Sequence, residues 1–160
     1  RFTDIVGSTG MTQRLGDDAS FALLSVHDRI VRSALASNNG REVKHTGDGI
    51  MAAFVSCACA VRCAMAALQD VMAHRADPHP PLNVRIGIAA GEPIEHANDL
   101  FGTTVQLASR LCAHAQPQQI LVSNAVAELC AGKMLPMRPV GPLALKGFDQ
   151  PVHAHMVDIV

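Results

Sequence analysis

Two short strand-forming runs, Arg41 to His45 and Ile50 to Phe54, flank the turn signal Gly47-Asp48-Gly49. An Asp-Gly turn between such runs is among the strongest short-range signals for a β-hairpin. A long amphipathic helix stands on each side of it. Upstream, Leu23, Val26, Ile30 and Ala34 recur at helical spacing from Asp17 or Asp18 until Asn38-Asn39-Gly40. Downstream, Ser56 opens a helix with the apolar stripe Val61, Ala64, Met65, Leu68, Val71 and Met72. A hairpin bracketed by two helices forces the next strands back into the same sheet.

The flanks supply those strands. Arg1 to Val6 reads as a strand broken by Gly7-Ser8-Thr9-Gly10, where Ser8 or Thr9 caps a short helix through about Leu15. Leu82 to Ala90 is a strand, followed by a turn at Gly91-Glu92-Pro93 and a helix from about Thr103 to Ala115. Ile120 to Val122 is a short strand, Ser123 caps another helix, and Val152 to Val160 closes the series. The expected fold is α+β, a ferredoxin-like βαββαβ palm-type sheet containing antiparallel strands, with helices packed on it and a C-terminal α/β extension. The 160 residues fit one domain, residues 1–160.

Composition removes several function classes. Thirteen Lys and Arg against fourteen Asp and Glu give a net charge of −1, which argues against nucleic acid as a partner. Five Phe with no Tyr or Trp leave no aromatic platform for base stacking. No apolar run approaches the roughly 20 residues of a membrane span. The chain starts at Arg1 without Met or a signal-peptide pattern, so it reads as a piece of something larger. Cys57, Cys59, Cys63, Cys112 and Cys130 lack Cys-x-x-Cys spacing and read as small core fillers in a reducing compartment. His153 and His155 alternate along a strand and read as an exposed edge.

Topology draws two acids together. The first two strands are joined through a helix and so run parallel in one sheet, with their C-terminal ends on one edge. Asp4 lies near the end of the first and Asp48 in the turn after the second. Taken alone, Asp48 is an ordinary turn residue and Asp4 a strand-end cap. Together, beside amide groups of Gly7, Ser8 and Thr9 at a helix start, they suggest a phosphate and a hard cation such as Mg²⁺ or Mn²⁺.

Five ordered motifs then carry a likeness. Phe2-Thr3-Asp4-Ile5-Val6-Gly7-Ser8-Thr9, Val43-Lys44-His45-Thr46-Gly47-Asp48-Gly49, Val84-Arg85-Ile86-Gly87-Ile88, Asp99 through Val105 to Arg110, and Leu145-Lys146-Gly147-Phe148 resemble class III adenylyl/guanylyl cyclase catalytic domains. The resemblance implies an adenylate cyclase converting ATP to 3′,5′-cyclic AMP and pyrophosphate. It implies two divalent cations, Mg²⁺ or Mn²⁺, held by Asp4, Asp48 and the Ile5 carbonyl. Gly7, Ser8, Thr9 and Arg85 match triphosphate-binding positions, with Lys146 in a looser register. Lys44 and Asp99 match the adenine-selecting pair. Arg110 matches the arginine that stabilises charge on the α-phosphate, and Gln106 stands where Asn usually orients the ribose. Because the family shares each site between two subunits and this chain holds both half-sets, a homodimer is implied. ATP as substrate points to the cytoplasm, with a regulatory domain or membrane tether outside residues 1–160. The alternative is a catalytically weak or inactive cyclase-like module that binds nucleotide and regulates a partner. A diguanylate cyclase is disfavoured, because Thr46-Gly47-Asp48-Gly49-Ile50 replaces that family's signature.

Overall fold

A computed structural model describes residues 5–11, 17–45, 49–74, 82–97 and 99–159, with backbone alone for residues 5–11 and 17–20. Its strands are β1 (Ile5–Met11), β2 (Arg41–His45), β3 (Ile50–Phe54), β4 (Val84–Ala90), β5 (Ile94–His96), β6 (Asp99–Phe101), β7 (Gln119–Ser123), β8 (Met137–Leu143) and β9 (Val152–Val157). Its helices are α1 (Asp17–Ser37), α2 (Cys57–His74), α3 (Thr103–His114) and α4 (Asn124–Leu129). The expected βαββαβ order is present. Seven strands form one sheet in the order β2-β3-β1-β4-β7-β9-β8, and β5 and β6 form a separate hairpin. β4 and β7 pair in parallel, while the other sheet neighbours are antiparallel.

Alternation along the strands divides the interior. Ile50, Ala52, Phe54, Val84, Ile86, Ile88, Ile120 and Val122 face α1, α2 and α4. Met51, Ala53 and Ala89 face α3 together with Leu100, Val105 and Ala108. On that second face Gly87 is required by contact. A Cβ there would stand 2.3 Å from the Ala108 carbonyl oxygen and 2.4 Å from the Cys112 amide nitrogen. The missing side chain therefore lets α3 lie directly on β4. Among the described residues, no helix is long and apolar enough to cross a membrane.

Two expectations need correction. Gly7-Ser8-Thr9-Gly10 does not break the first strand. Those residues lie inside β1, which pairs with β3 from Ile5 to Ser8 and with β4 along its whole length. Two neighbours that satisfy extended backbone on both sides outweigh the turn propensity of the sequence. His153 and His155 are not on an edge, because β9 lies between β7 and β8. The outer strand is β8, which carries Pro139 and Pro142, and edge strands are where proline is tolerated.

Candidate functional site

The site is built around a bulge. β2 and β3 pair as Arg41 with Ala53 and Glu42 with Ala52, then as Lys44 with Met51 and His45 with Ile50. Val43 is the extra residue. Without it, Glu42 and Lys44 would point to the same face. With it, Arg41 and Lys44 turn toward the α3 side, while Glu42 and His45 turn toward α1. A one-residue irregularity thus aims Lys44.

What Lys44 meets comes from the small hairpin. Its Nζ donates to Asp99 Oδ2 at 2.8 Å, and the other carboxylate oxygen accepts from the Leu100 amide at 2.8 Å. The Lys44 hydrogen bond, then the Leu100 amide, holds the Asp99 carboxyl below the ordinary carboxylate range. A second ion pair, Arg41 to Glu95 at 2.7 Å, ties the same hairpin to β2. Its turn carries Ala97 at φ 51°.

The hairpin leads through Gly102 into α3. Gly102 has φ 116°, a value that side-chain-bearing residues rarely adopt, and no side chain caps the helix start. Val105, Ala108, Leu111 and Cys112 are buried, which leaves Gln106, Ser109 and Arg110 on the open flank. From the other side, Leu145 is buried among Leu111, Ala115, Leu121 and Ala154 and sets Lys146 and Gly147 opposite that flank. The result is a cleft of about 390 Å³ whose lining includes Lys44, Met51, Gln106, Ser109, Arg110 and Lys146. It pairs an apolar floor (Met51, Leu100, Val105) with three cations, and the positive end of the α3 dipole opens at Gly102. Such a space takes a flat, partly apolar group joined to an anion.

The candidate residues therefore divide. Lys44, Gln106, Arg110 and Lys146 line one cleft, with Asp99 bonded to Lys44 at its margin. Arg85 lies elsewhere. Its guanidinium donates to the Ala113 carbonyl at 3.0 Å, near the end of α3, where helix carbonyls lack partners. Its Nε is buried with no hydrogen-bond partner. Asp4 and Asp48 lie outside the described residues. Gly7, Ser8 and Thr9 are strand residues rather than the expected helix-opening turn. Ile5 pairs with Phe54, at the end of β3 remote from the turn between β2 and β3. Among the described residues, no three His, Cys, Asp or Glu side chains converge to hold a metal ion. Sequence reading missed Met51, Ser109 and the Val43 bulge. Met51 was recognisable as the strand partner of Lys44, but the bulge has no local signal.

Comparison with known proteins agrees with the fold. The family model of the adenylate and guanylate cyclase catalytic domain matches residues 1–158. The chain belongs to that family, the class III cyclase catalytic domains. An uncharacterized protein of Mycobacterium tuberculosis is 37% identical over 156 residues, which is 96% of this chain and 39% of that protein. An adenylate cyclase of Streptomyces coelicolor is 36% identical over 127 residues, 79% of this chain and 32% of the relative. The chain thus spans between about a third and two fifths of the length of these relatives. The crystal structure of an adenylate/guanylate cyclase/hydrolase from Silicibacter pomeroyi superposes with a TM-score of 0.87 at 27% identity, covering 97% of this chain and 95% of the other.

Proposed function

We propose that this chain is an adenylate cyclase domain that converts ATP to 3′,5′-cyclic AMP and pyrophosphate, at sites completed between two copies of itself. The observation that carries the reading is the Lys44–Asp99 pair, 2.8 Å apart, beside a cleft that also gathers Gln106, Arg110 and Lys146. Adenine offers an acceptor at N1 and a donor at its N6 amino group, which matches an ammonium and a carboxylate. Guanine offers the reverse pattern and would set donor against donor.

The rest of the chemistry follows the same cleft. Gln106 orients the ribose, one methylene further from the helix than the usual Asn. Arg110, four residues on along the same flank, places delocalised charge against the α-phosphate. Lys146 meets the outer phosphates, and Arg85 would join it only after leaving the Ala113 carbonyl. Asp4 and Asp48 are proposed as holders of Mg²⁺ or Mn²⁺ on the family resemblance alone, since the pairing of Ile5 with Phe54 lends this no support; bound there, such an ion would neutralise triphosphate charge and acidify the ribose 3′-hydroxyl. The reading places the domain in the cytoplasm, where ATP is supplied, linked to regulatory segments of a longer protein.

Purified protein assayed with ATP and GTP, over a range of protein concentrations and with Mg²⁺ or Mn²⁺, tests this directly. Cyclic AMP is expected as the main product, with specific activity rising as dimer forms. Faster turnover of GTP would refute the assignment of Lys44 and Asp99. Mixing Asp48→Ala with Arg110→Ala chains should restore part of the activity that each lacks, because one intact site can form per mixed dimer. One observation favours a second reading, a module that binds nucleotide with little turnover: β1 runs through Gly7, Ser8 and Thr9 and leaves no phosphate turn there. ATP binding without product would select it.

A further inference from the structure

Behind the cleft, on the opposite face of β2, α1 grips the strand on both sides of the Val43 bulge. Before the bulge, Arg32 Nε and Nη2 donate to the two carboxylate oxygens of Glu42 at 2.7 and 3.2 Å. After it, His45 Nε2 lies 3.0 and 3.1 Å from the two oxygens of Asp28. Asp28 is also 2.9 Å from Nδ1 of His27, a fully buried ring, and 4.0 Å from Arg32. Five residues of α1 and β2 thus form one connected polar array that straddles a single extra residue.

That placement has a consequence for Lys44. A strand that slips by one residue exchanges its two faces. If β2 lost its bulge, Lys44 would leave the cleft side, and Glu42 and His45 could not both face α1. The ion pairs on the back therefore favour the bulged register over the regular one. We propose that Arg32 and Asp28 of α1, through Glu42 and His45, are positioning residues that hold the Val43 bulge and so keep Lys44 aimed into the cleft. The proposal rests on the reading of Lys44 as a base-recognising residue.

Nucleotide affinity in a double-mutant cycle tests it. Arg32→Ala combined with His45→Ala removes both grips and retains Asp28 beside His27. ATP dissociation constants and the ATP-over-GTP preference are measured by calorimetry, in wild type and in a Lys44→Ala background. Clamp removal should weaken ATP binding about tenfold and lower the preference for ATP, while GTP affinity changes little. In the Lys44→Ala background the same removal should leave ATP affinity within about twofold, since no aimed lysine remains to be lost. Restoring a donor with His45→Gln should recover part of the affinity. Unchanged ATP binding in the folded double variant, or an equal loss in both backgrounds, would overturn the clamp. Should the double variant fail to fold, Arg32→Ala alone decides by the same cycle, since that side chain is half exposed. Failure of the base-recognition reading has a separate signature: Lys44→Ala would then leave ATP binding untouched. Backbone amide exchange across Arg41 to His45 would still report the clamp, with faster exchange expected in the variants and equal exchange counting against it.

Discussion

The two faces of the sheet are covered in different ways. On one face α1 and α2 lie side by side, and α2 buries Cys57, Ala58, Ala60, Val61, Cys63, Ala64, Ala67, Leu68 and Val71. On the other, α3 buries four residues and leaves Gln106, Ser109 and Arg110 on an open flank. Small side chains let α2 pack closely over a broad area, while the narrow stripe of α3 closes only part of its face. The larger buried core lies on the face that α1, α2 and α4 cover. Binding chemistry collects on the face that α3 covers only in part.

The comparison is broken most severely at the point where α3 meets the sheet. Gly87→Val would drive a side chain into backbone atoms of α3, with an expected cost of about 3 kcal/mol, read from urea unfolding. Loss of cleft residues should act on chemistry alone. Arg110→Ala should lower the rate of cyclic AMP formation about a hundredfold, while the unfolding midpoint stays close to wild type because the side chain is exposed. Asp99→Ala should narrow the ratio of ATP to GTP turnover about tenfold, measured as relative kcat/KM.

The closed face gives the smaller effects. Burial pushes the thiols of Cys57 and Cys63 up to about 12, so a thiol reagent at pH 8 should spare both until the protein unfolds. Glu42 is held below its ordinary range, chiefly by the hydrogen bond from Arg32. Its contribution is present above the ordinary carboxylate range and fades as pH falls through the lowered folded value. Glu42→Gln should therefore slightly flatten the acid limb of the stability profile.

Much of this division was legible in the chain. Helical spacing of Leu23, Val26, Ile30 and Ala34, and of Val61, Ala64, Met65, Leu68, Val71 and Met72, announced the two covering helices; most of both stripes is buried, with Val26 and Met65 half-buried and Met72 exposed. The burial of Val105, Ala108 and Cys112 opposite Gln106 and Arg110 follows from a 3.6-residue period. Where the reading failed, the deciding partner was distant in sequence. Gly7 to Gly10 look like a turn until β3 and β4 stand on either side of them. β8 carries two prolines and escapes a strand pattern, yet as an outer strand it needs amide donors on one side only. Ile94–His96 and Asp99–Phe101 are three residues each, too short for a period-two signal, and they are fastened to β2 by Arg41 and Lys44.

The contact between Lys44 and Asp99 also bears on affinity. On the proposed reading, an arriving adenine does not find two vacant poles; it must come between groups that already satisfy each other. Matching contacts exchange one hydrogen-bonded arrangement for another, so the gain in binding strength is modest. A mismatched base breaks the pair without replacing it and bears the whole loss. Discrimination can then be steep while the complex stays loose, which suits a pocket that must empty after every turnover.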